Sequence, residues 1–420
     1  MSTLLSPEKT SRATKLIVLV AALGYFVDIY DLLLFGIVRV PSVLDLGGFA
    51  SRAAPGADAY VTDNGIFLLN TQMIGLLTGG ILWGILGDRR GRKTVLFGSI
   101  LMYSLANIAN GFVQTIPQYA ILRFIAGVGL AGELGAGVTL VSETMHKDRR
   151  GLGTMIIASF GMFGAVVAAL IADNFPWRTA YFVGGGLGLL LLFLRVGVME
   201  SGMFTAAQAG PARMGAFHAL FTNGARFRRY LACIAIGFPI WWAIGIPVTL
   251  APEVAKALGA TGDVTAGSAI LWAYVGLALG DVASGALSQV LKSRRKVIGG
   301  FALLLFGLAT VYLNLRGLSP TAVYAFCFGF GLFAGYWAVF VTNASEQFGT
   351  NLRATVTTTA PNFVRGSLVP MTLALTALRG TLGLPYAALA VCAIATALAL
   401  IALWTLPERF DADLDYVEPL

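Results

Sequence analysis

The segment that decides the fold reads Gly84-Ile85-Leu86-Gly87-Asp88-Arg89-Arg90-Gly91-Arg92-Lys93 and lies between two long apolar runs. One acid and four bases within ten residues are too costly to place in hydrocarbon, so the segment predicts a tight turn at a membrane face. Gly84, Gly87 and Gly91 permit the close backbone approach that such a turn needs. The bases indicate that this face is cytoplasmic, because short cytoplasmic loops are enriched in Lys and Arg.

The composition is that of a membrane protein. Of the 420 residues, 57% are hydrophobic and only 12% are charged, whereas soluble domains contain roughly 25% charged residues. The net charge of +8 does not indicate nucleic acid, because the bases occur in short clusters between apolar runs. Cys233, Cys327 and Cys392 lie in apolar runs without metal-ligand spacing. We therefore expect a protein of the lipid bilayer with no metal, no cofactor and no nucleic-acid partner.

Twelve apolar runs are long enough to cross a bilayer as helices, which takes about 20 residues each. The runs are continuous and lack the alternation of β-barrel strands, so the predicted fold class is an all-α polytopic membrane protein. Most of the 29 Lys and Arg residues fall in cytoplasmic segments if the N-terminus is inside. We therefore expect both termini in the cytoplasm. The predicted spans are 15–37, 64–86, 94–114, 117–143, 150–172, 177–197, 229–250, 264–290, 296–315, 320–344, 353–378 and 384–406.

The chain is predicted to divide into two pseudo-symmetric halves. Residues 1–197 form an N-terminal six-helix bundle and residues 229–406 a C-terminal one. Residues 198–228 form a cytoplasmic linker with a short amphipathic helix near Ala216 to Phe221, and 407–420 a cytoplasmic tail. Residues 40–64 are expected to form an external loop.

The two halves also echo each other in sequence. The loop from Gly285 to Lys296 is a degraded copy of the Gly84 loop, with Gln289 in place of Asp88. Two basic loops can be alike by chance, but three echoes in matching order favour the paired repeats of secondary transporters. The other two echoes are acids at span ends with an arginine seven residues later, Glu143 with Arg150 and Glu346 with Arg353.

Acidic residues in the first span are candidates for a proton site, because a charge in mid-membrane is costly. Asp28 and Asp31 are three residues apart, so they share one helix face. Two acids this close in a low dielectric do not both ionise easily, which suits one of them to bind and release a proton near neutral pH. We take Asp28 as the first candidate and Asp31 as the second. A static pair that holds the bundle together is the alternative.

The fourth span carries one base, Arg123, which needs an acid or a substrate anion. Snorkelling of Arg123 to the external face is an equal alternative, because it lies about six residues from the start of the span. Gly127 and Ala131 place small residues on one face and predict tight helix contact. Glu133 is a candidate partner for a group on another helix, and we count Arg123 and Glu133 with the two acids of the first span as candidates for proton coupling.

The eleventh span supplies the best candidate for substrate binding. Arg365 lies near mid-span, and a guanidinium there can bind a carboxylate or a phosphate through two parallel hydrogen bonds. The alternative is an ion pair with Asp281 in the eighth span. Asn362 is a plausible hydrogen-bonding neighbour, and Trp241 and Tyr336 are candidates for lining a cavity.

Several of these motifs resemble the major facilitator superfamily of transporters over nearly the whole chain. The pattern G-x-L-x-D-R-x-G-R-K that begins at Gly84 is similar to the signature loop of this superfamily. The spacing Arg123-x-x-x-Gly127-x-Gly129 resembles its fourth-helix motif, whose arginine is associated with proton transfer. The resemblance implies a gating role for residues of the loop and of the span ends, namely Gly84, Asp88, Arg89, Gly91, Arg92, Glu143, Arg150, Glu346 and Arg353.

Within that superfamily, the motif Phe26-x-Asp28-x-Tyr30-Asp31 is similar to bacterial metabolite:proton symporters. The same motif also resembles phosphate:proton symporters. The resemblance therefore implies a monomer in the bacterial inner membrane that carries out proton-coupled symport of a small carboxylate-bearing solute such as an organic acid, an amino acid or a zwitterion. Phosphate symport, export of drugs or metabolites, and a receptor that does not transport remain alternatives. No nucleophile–base or metal constellation indicates an enzyme.

Overall fold

The computed structural model describes residues 7–90, 92–132, 150–200, 217–410 and 417–418, and every regular element in these ranges is helical. A 3₁₀ turn covers Phe217–Leu220 and a π-helical turn covers Ile244–Val248. The helices are α1 (Pro7–Leu46), α2 (Ala57–Arg90), α3 (Arg92–Asn110), α4 (Ile116–Leu130), α5 (Arg150–Asn174), α6 (Trp177–Glu200), α7 (Gly224–Ala235), α8 (Phe238–Ala243), α9 (Ala251–Ala257), α10 (Ala266–Val290), α11 (Arg294–Asn314), α12 (Pro320–Ala334), α13 (Trp337–Glu346), α14 (Thr350–Gly366) and α15 (Leu368–Thr405).

These helices form twelve transmembrane segments in two six-helix bundles, which confirms the predicted fold class. α1 to α6 form the first bundle. In the second bundle, α7 and α8 with the π turn form span seven, α10 and α11 form spans eight and nine, and α12 with α13 forms span ten. α14 and the first part of α15 form span eleven, and the rest of α15 forms span twelve. Gly383, with a φ of 74°, separates the two parts of α15.

Seven stretches of the described residues are long and apolar enough to cross a membrane, and the stretch Asn351–Thr405 contains two of the twelve segments. Two apolar helices, Ile116–Leu130 and Phe163–Asn174, are shorter and belong to spans four and five. The Gly84 loop is largely helical, because α2 continues to Arg90 and α3 begins at Arg92.

The external loop expected at residues 40–64 is mostly helical, which corrects that prediction. α1 continues to Leu46 and α2 begins at Ala57, so only residues 47–56 connect them. The polar side chains that suggested a loop are satisfied on these helix ends. Asp45 accepts hydrogen bonds from Arg178 and Trp177 of α6, and Asp58 lies in the first turn of α2, where the helix dipole favours an acid.

Spans seven, ten and eleven of the second bundle are broken, which the continuous apolar runs did not predict; the break in span eleven separates Gly366 from Leu368. The break in span seven follows Ala235, where Gly237 and Pro239 interrupt the helix. The break in span ten lies at Gly335 and Tyr336. The two breaks support each other, because the Tyr336 hydroxyl donates a hydrogen bond of 3.1 Å to the carbonyl of Ile236.

Glycines bring equivalent helices of the two bundles into backbone contact. In the first bundle, Gly75 and Gly79 of α2 pack against the backbone of α4. In the second, Gly276 and Gly280 of α10 pack in the same way against the backbone of α12. Spans two and four therefore pack as spans eight and ten do, which agrees with a pair of structural repeats.

The described part of the C-terminal tail returns to the second bundle. Glu418 forms ion pairs with Arg226 and Arg229 of α7, at 3.1 and 2.9 Å. α7 begins at Gly224, so the last residues of the predicted linker 198–228 belong to a helix. Most of the rest of that linker, including Ala216, lies outside the described residues.

Candidate functional site

The centre of the candidate site is Arg365, in the last turn of α14. Its side chain is buried within the protein, near the middle of span eleven. Its Cζ atom is 5.6 Å from the ring centroid of Trp241 in α8 and 5.7 Å from that of Trp337 in α13. The guanidinium therefore lies over two tryptophan rings, an arrangement that stabilises a cation by cation–π attraction. Tyr25 and Tyr274 also lie within electrostatic range.

The Arg365 guanidinium is not neutralised by a direct ion pair with any acid in the described part of the chain. Its Nε atom is buried without a hydrogen-bond partner. Asp28 of α1 lies within electrostatic range but forms no salt bridge with it. A buried, incompletely paired guanidinium is costly, and it leaves donors available for an anion.

The alternative role for Arg365, as the ion-pair partner of Asp281, does not hold in this structure. The Oδ1 atom of Asp281 instead accepts a hydrogen bond of 3.0 Å from the backbone N–H of Ala338. Asp281 thus lies at the N-terminus of α13. It stays within the electrostatic range of Tyr25, which also lies in the range of Arg365.

Asn362 lies one turn before Arg365, at the boundary between the bundles. Its Nδ2 atom donates a hydrogen bond of 3.1 Å to the carbonyl of Ala131 in the first bundle. Its Oδ1 atom is buried without a partner. The Asn362 side chain therefore links the two bundles through its Nδ2 atom and leaves its Oδ1 atom free to accept a hydrogen bond.

Of the two aromatic candidates, Trp241 contacts Arg365, whereas the hydroxyl of Tyr336 bonds elsewhere. Tyr336 is fully buried and donates to Ile236 at the break in span seven. Its neighbour Trp337 is the residue that lies against Arg365, and the sequence reasoning did not select it. The only sequence signal for Trp337 was its place beside Tyr336 in an apolar run.

A second polar cluster lies within the first bundle, around Arg123. The side chain is 1% exposed, which excludes snorkelling of Arg123 to the external face in this structure. Its Cζ atom lies 5.3 Å from the ring centroid of Phe35 and 5.6 Å from that of Tyr181. Nη1 donates a long hydrogen bond of 3.4 Å to Asn107, and Asp31 lies within electrostatic range.

Asp28 and Asp31 are both buried, but they have different neighbours. Asp31 lies near Arg123 and Asn107, and its two carboxylate oxygens have no hydrogen-bond partner within the normal distance. Asp28 lies near Arg365 and Tyr25 instead. The two acids thus connect to two different arginines, one in each bundle.

Two of the predicted gating residues are described with their side chains. Glu346 pairs with Arg294 at 3.3 Å rather than with Arg353, and its Oε2 atom has no partner. The Nε atom of Arg353 donates to the carbonyl of Ser345 at 3.1 Å. The other gating candidates (Gly84, Asp88, Arg89, Gly91, Arg92, Glu143 and Arg150) and the proton-coupling candidate Glu133 have side chains outside the described residues.

At the face opposite the Gly84 loop, ion pairs join the two bundles. The Nη1 and Nη2 atoms of Arg39 in α1 donate to the two carboxylate oxygens of Glu253 in α9, at 2.9 and 2.8 Å. Arg52 lies 3.4 Å from the same carboxylate. Both Arg39 and Glu253 are buried. Two more exposed pairs, Lys256 with Asp58 and Arg379 with Asp63, lie at the same face.

The described residues contain no cluster of His, Cys, Asp or Glu that could hold a metal ion. The fold and the site instead define a class of membrane protein, the polytopic solute transporter with two helical bundles around a central polar site. The chain belongs to the Major Facilitator Superfamily, whose sequence model matches residues 21–367. It is thus a multi-pass membrane transporter of small molecules, in a family of transporters and not of enzymes.

Three of the similar proteins are named as transporters of small organic molecules. The chain is 26% identical to the probable 4-methylmuconolactone transporter of Cupriavidus pinatubonensis over 402 residues, 92% of this chain and 88% of that one. It is 27% identical to the 3-(3-hydroxy-phenyl)propionate transporter of Escherichia coli, with 77% and 80% covered. The putative niacin/nicotinamide transporter NiaP of Bacillus subtilis is 33% identical over 33% of this chain. That alignment covers 36% of the niacin transporter's length, so the relation is partial.

The fold is also found in a solved structure, the proton:xylose symporter XylE bound to 6-bromo-6-deoxy-D-glucose. The TM-score is 0.66 with 18% sequence identity, and the alignment covers 97% of this chain and 98% of that one. Identity this low shows a shared fold and not a shared substrate.

Proposed function

We propose that this protein is a proton-coupled symporter of a small carboxylate-bearing solute that works by alternating access between its two bundles. The observation that carries this proposal is Arg365, a buried guanidinium that lies over two tryptophan rings and forms no ion pair with a described acid. A solute carboxylate supplies the missing negative charge through charge-assisted hydrogen bonds.

The surroundings of Arg365 favour a carboxylate over phosphate. A carboxylate is planar and singly charged, so one guanidinium can neutralise it and bind it through two hydrogen bonds. Trp241 and Trp337 add flat apolar surface beside the guanidinium, which suits a solute with a ring or another planar group. The relative named for 3-(3-hydroxy-phenyl)propionate supports this class, because that compound carries both a carboxylate and an aromatic ring.

In this proposal Asp28 binds the coupling proton. Asp28 lies within electrostatic range of Arg365, so its negative charge competes with the solute carboxylate for the same cation. Protonation of Asp28 removes that competition and favours solute binding. Asp31 has a parallel relation with Arg123, which makes this pair the second candidate for coupling. Glu133 remains a candidate partner of this system.

A binding experiment with matched solutes tests the carboxylate. Purified protein is titrated with benzoate and other aromatic and aliphatic carboxylates, each beside its neutral amide, and with inorganic phosphate. We expect at least one carboxylate to bind and its amide to bind more weakly. A protein that prefers the amides, or that binds only phosphate, would contradict the proposed solute class.

Substitution of the arginine tests its role. We expect Arg365→Ala to weaken binding of that carboxylate by about ten-fold or more, because a hydrogen bond to a charged group contributes about 1.5–3 kcal/mol. Arg365→Lys keeps the charge but loses the planar pair of donors, so its affinity for the carboxylate should lie between that of the unchanged protein and that of Arg365→Ala. Arg316→Ala is the control. Arg316 is also an arginine over an aromatic ring, that of Tyr386, but it is exposed. Unchanged affinity in Arg365→Ala would remove Arg365 from the binding site.

A further inference from the structure

Span ten breaks next to the candidate substrate site, and its second half lacks a cap of its own. α12 ends at Ala334, and α13 begins at Trp337. The residue before α13, Tyr336, provides no side-chain cap. The first N–H groups of a helix have no partner within the helix. A side-chain oxygen usually accepts from one of them, and for α13 this oxygen can come only from another part of the protein.

Asp281 of the neighbouring span provides this acceptor. Its Oδ1 atom lies 3.0 Å from the backbone nitrogen of Ala338, the second residue of α13, and it also reaches the N–H of Trp337. This is the position that an N-cap oxygen occupies, but the oxygen comes from α10. The acid also lies at the positive end of the helix dipole.

The backbones of the two spans are close enough for this cap because both lack side chains where they cross. A Cβ atom on Gly335 would lie 2.5 Å from Cα of Gly280 and 2.7 Å from the backbone nitrogen of Asp281. Spans eight and ten thus meet at the break, one residue from the acid. This contact between Gly280 and Gly335 holds the Asp281 carboxylate within hydrogen-bond distance of the first turn of α13.

The capped turn carries the residue that contacts Arg365. Trp337 is the first residue of α13, and its ring lies 5.7 Å from the guanidinium. If the first turn of α13 frays, the orientation of this ring is lost. Trp241, the other ring over Arg365, lies in α8 and does not depend on this cap.

We propose that Asp281 is a positioning residue for solute binding, which caps α13 from the neighbouring span and thereby holds Trp337 over Arg365. The inference rests on the proposed function of Arg365 as the solute site. In this proposal Asp281 acts as a hydrogen-bond acceptor. An asparagine at this position keeps an acceptor oxygen, whereas an alanine removes it.

Hydrogen–deuterium exchange of the purified protein tests the cap without any solute. We expect peptides that cover Trp337–Glu346 to exchange faster in Asp281→Ala than in the unchanged protein, and Asp281→Asn to behave as the unchanged protein. Asp263→Ala, which removes an exposed acid, is the control. Equal exchange in Asp281→Ala and the unchanged protein would show that α13 does not depend on this acid.

Transport in proteoliposomes tests the consequence for the site, with the carboxylate found by the matched titration. We expect Asp281→Ala to raise KM by about five- to ten-fold, the size of a lost helix cap, with a smaller effect on the maximal rate. Asp281→Asn should keep KM within about three-fold of the unchanged value. Asparagine as harmful as alanine would mean that the charge or proton of Asp281 matters and would overturn the proposal.

A double-mutant cycle tests whether Asp281 acts through Trp337. We expect Trp337→Ala to raise KM, and the addition of Asp281→Ala to raise it no further, because the ring to be positioned is already absent. Additive effects would overturn the positioning role. Failure of the proposed solute site is seen separately, as unchanged affinity in Arg365→Ala, and the exchange experiment still decides whether Asp281 caps α13.

Discussion

Arg365 and Arg123 are both buried arginines in the membrane, but their neighbours suit them to different work. Arg365 lies beside the boundary between the bundles, one turn from Asn362, which bonds to Ala131 across that boundary. Arg123 is enclosed in the first bundle between Phe35 and Tyr181. A solute between the bundles can reach the first arginine, whereas the second is better placed to act on Asp31 within one bundle.

This difference leads to a prediction for the acids of the first span. We expect Asp28→Asn to abolish solute accumulation against a gradient while solute exchange across the membrane continues. The reason is that asparagine mimics a permanently protonated acid and cannot release the proton that drives uptake in the proposed mechanism. The measurement compares uphill uptake with counterflow exchange in proteoliposomes.

The matched control is Asp173→Asn, because Asp173 is an exposed acid. Asp31→Asn in parallel decides between the two candidates. If Asp28→Asn keeps uphill uptake and Asp31→Asn loses it, the proton site belongs to the Arg123 cluster.

The candidate site could be predicted in part from the sequence. Arg365 and the two acids were found because charges are rare in apolar runs and each one demands an explanation. Trp337 and the cap by Asp281 were not found. Both depend on a break in span ten and on its contact with span eight, and an uninterrupted apolar run shows neither.

At the scale of helices, the glycines of spans eight and ten control how closely these spans approach. A Cβ atom on Gly331 of α12 would overlap the carbonyl oxygen of Ala273 in α10. A backbone atom cannot move aside as a flexible side chain can, so the helices would have to separate. The same separation would pull Asp281 away from α13.

We therefore expect Gly331→Ala to destabilise the protein by about 1–3 kcal/mol, the usual cost of forcing extra atoms into a packed interface. Gly307→Ala is the matched control, because Gly307 is also in a helix but has no atom within 4 Å of an added Cβ. Thermal unfolding of the purified variants measures the difference. Equal stability of the two variants would show that spans eight and ten tolerate a wider separation.

The course of the helices could be predicted from the sequence better than their breaks and ends. Twelve spans followed from the lengths of the apolar runs, because the bilayer sets the length of a spanning helix. α1 and α2 extend beyond their predicted ends, since Asp45 near the end of α1 accepts from Trp177 and Asp58 at the start of α2 pairs with Lys256. Such partners come from distant parts of the chain and are not visible in a local pattern.

At the scale of the whole molecule, the pair of Arg39 and Glu253 holds the bundles together at the face opposite the Gly84 loop. In the proposed topology this is the external face. Gly65 of α2 leaves room for the guanidinium, since a Cβ atom there would lie 2.7 Å from Nη1 of Arg39. The proposed alternating access requires the bundles to part at this face, and in that mechanism the pair breaks in every transport cycle.

The protonation of Glu253 follows from its neighbours, beyond the end of span seven. Burial acts to raise the pKa of Glu253, but the positive charges of Arg39 and Arg52 outweigh it and hold the pKa below its usual value. A carboxylate with a lowered pKa keeps its stabilising contribution above the usual pKa and loses it only as the pH falls through the lowered value. Mild acid on the external side therefore leaves the ion pair intact.

We expect Glu253→Gln to shift the molecule toward a state open at this face, because it leaves Arg39 buried without its charged partner, a change that costs about 3–5 kcal/mol. The reporter is Ser42→Cys, a fully buried position beside Arg39, in a variant whose native cysteines are replaced by serine. A membrane-impermeant maleimide added from outside should label Cys at this position faster when Glu253→Gln is present. Asp63→Asn, which breaks only an exposed pair with Arg379, should change labelling little.

The pH dependence of the same labelling separates this ion pair from the proton site. Because the pKa of Glu253 is lowered, labelling with Glu253 intact should stay slow from about pH 7.5 to about pH 5.5 when no solute is present. In the proposed mechanism uptake depends on a proton bound by an acid in the first span, so uptake should change over the same range. If acid alone speeds the labelling as much as Glu253→Gln does, the pair itself titrates in this range, and the external closure would then take part in proton coupling.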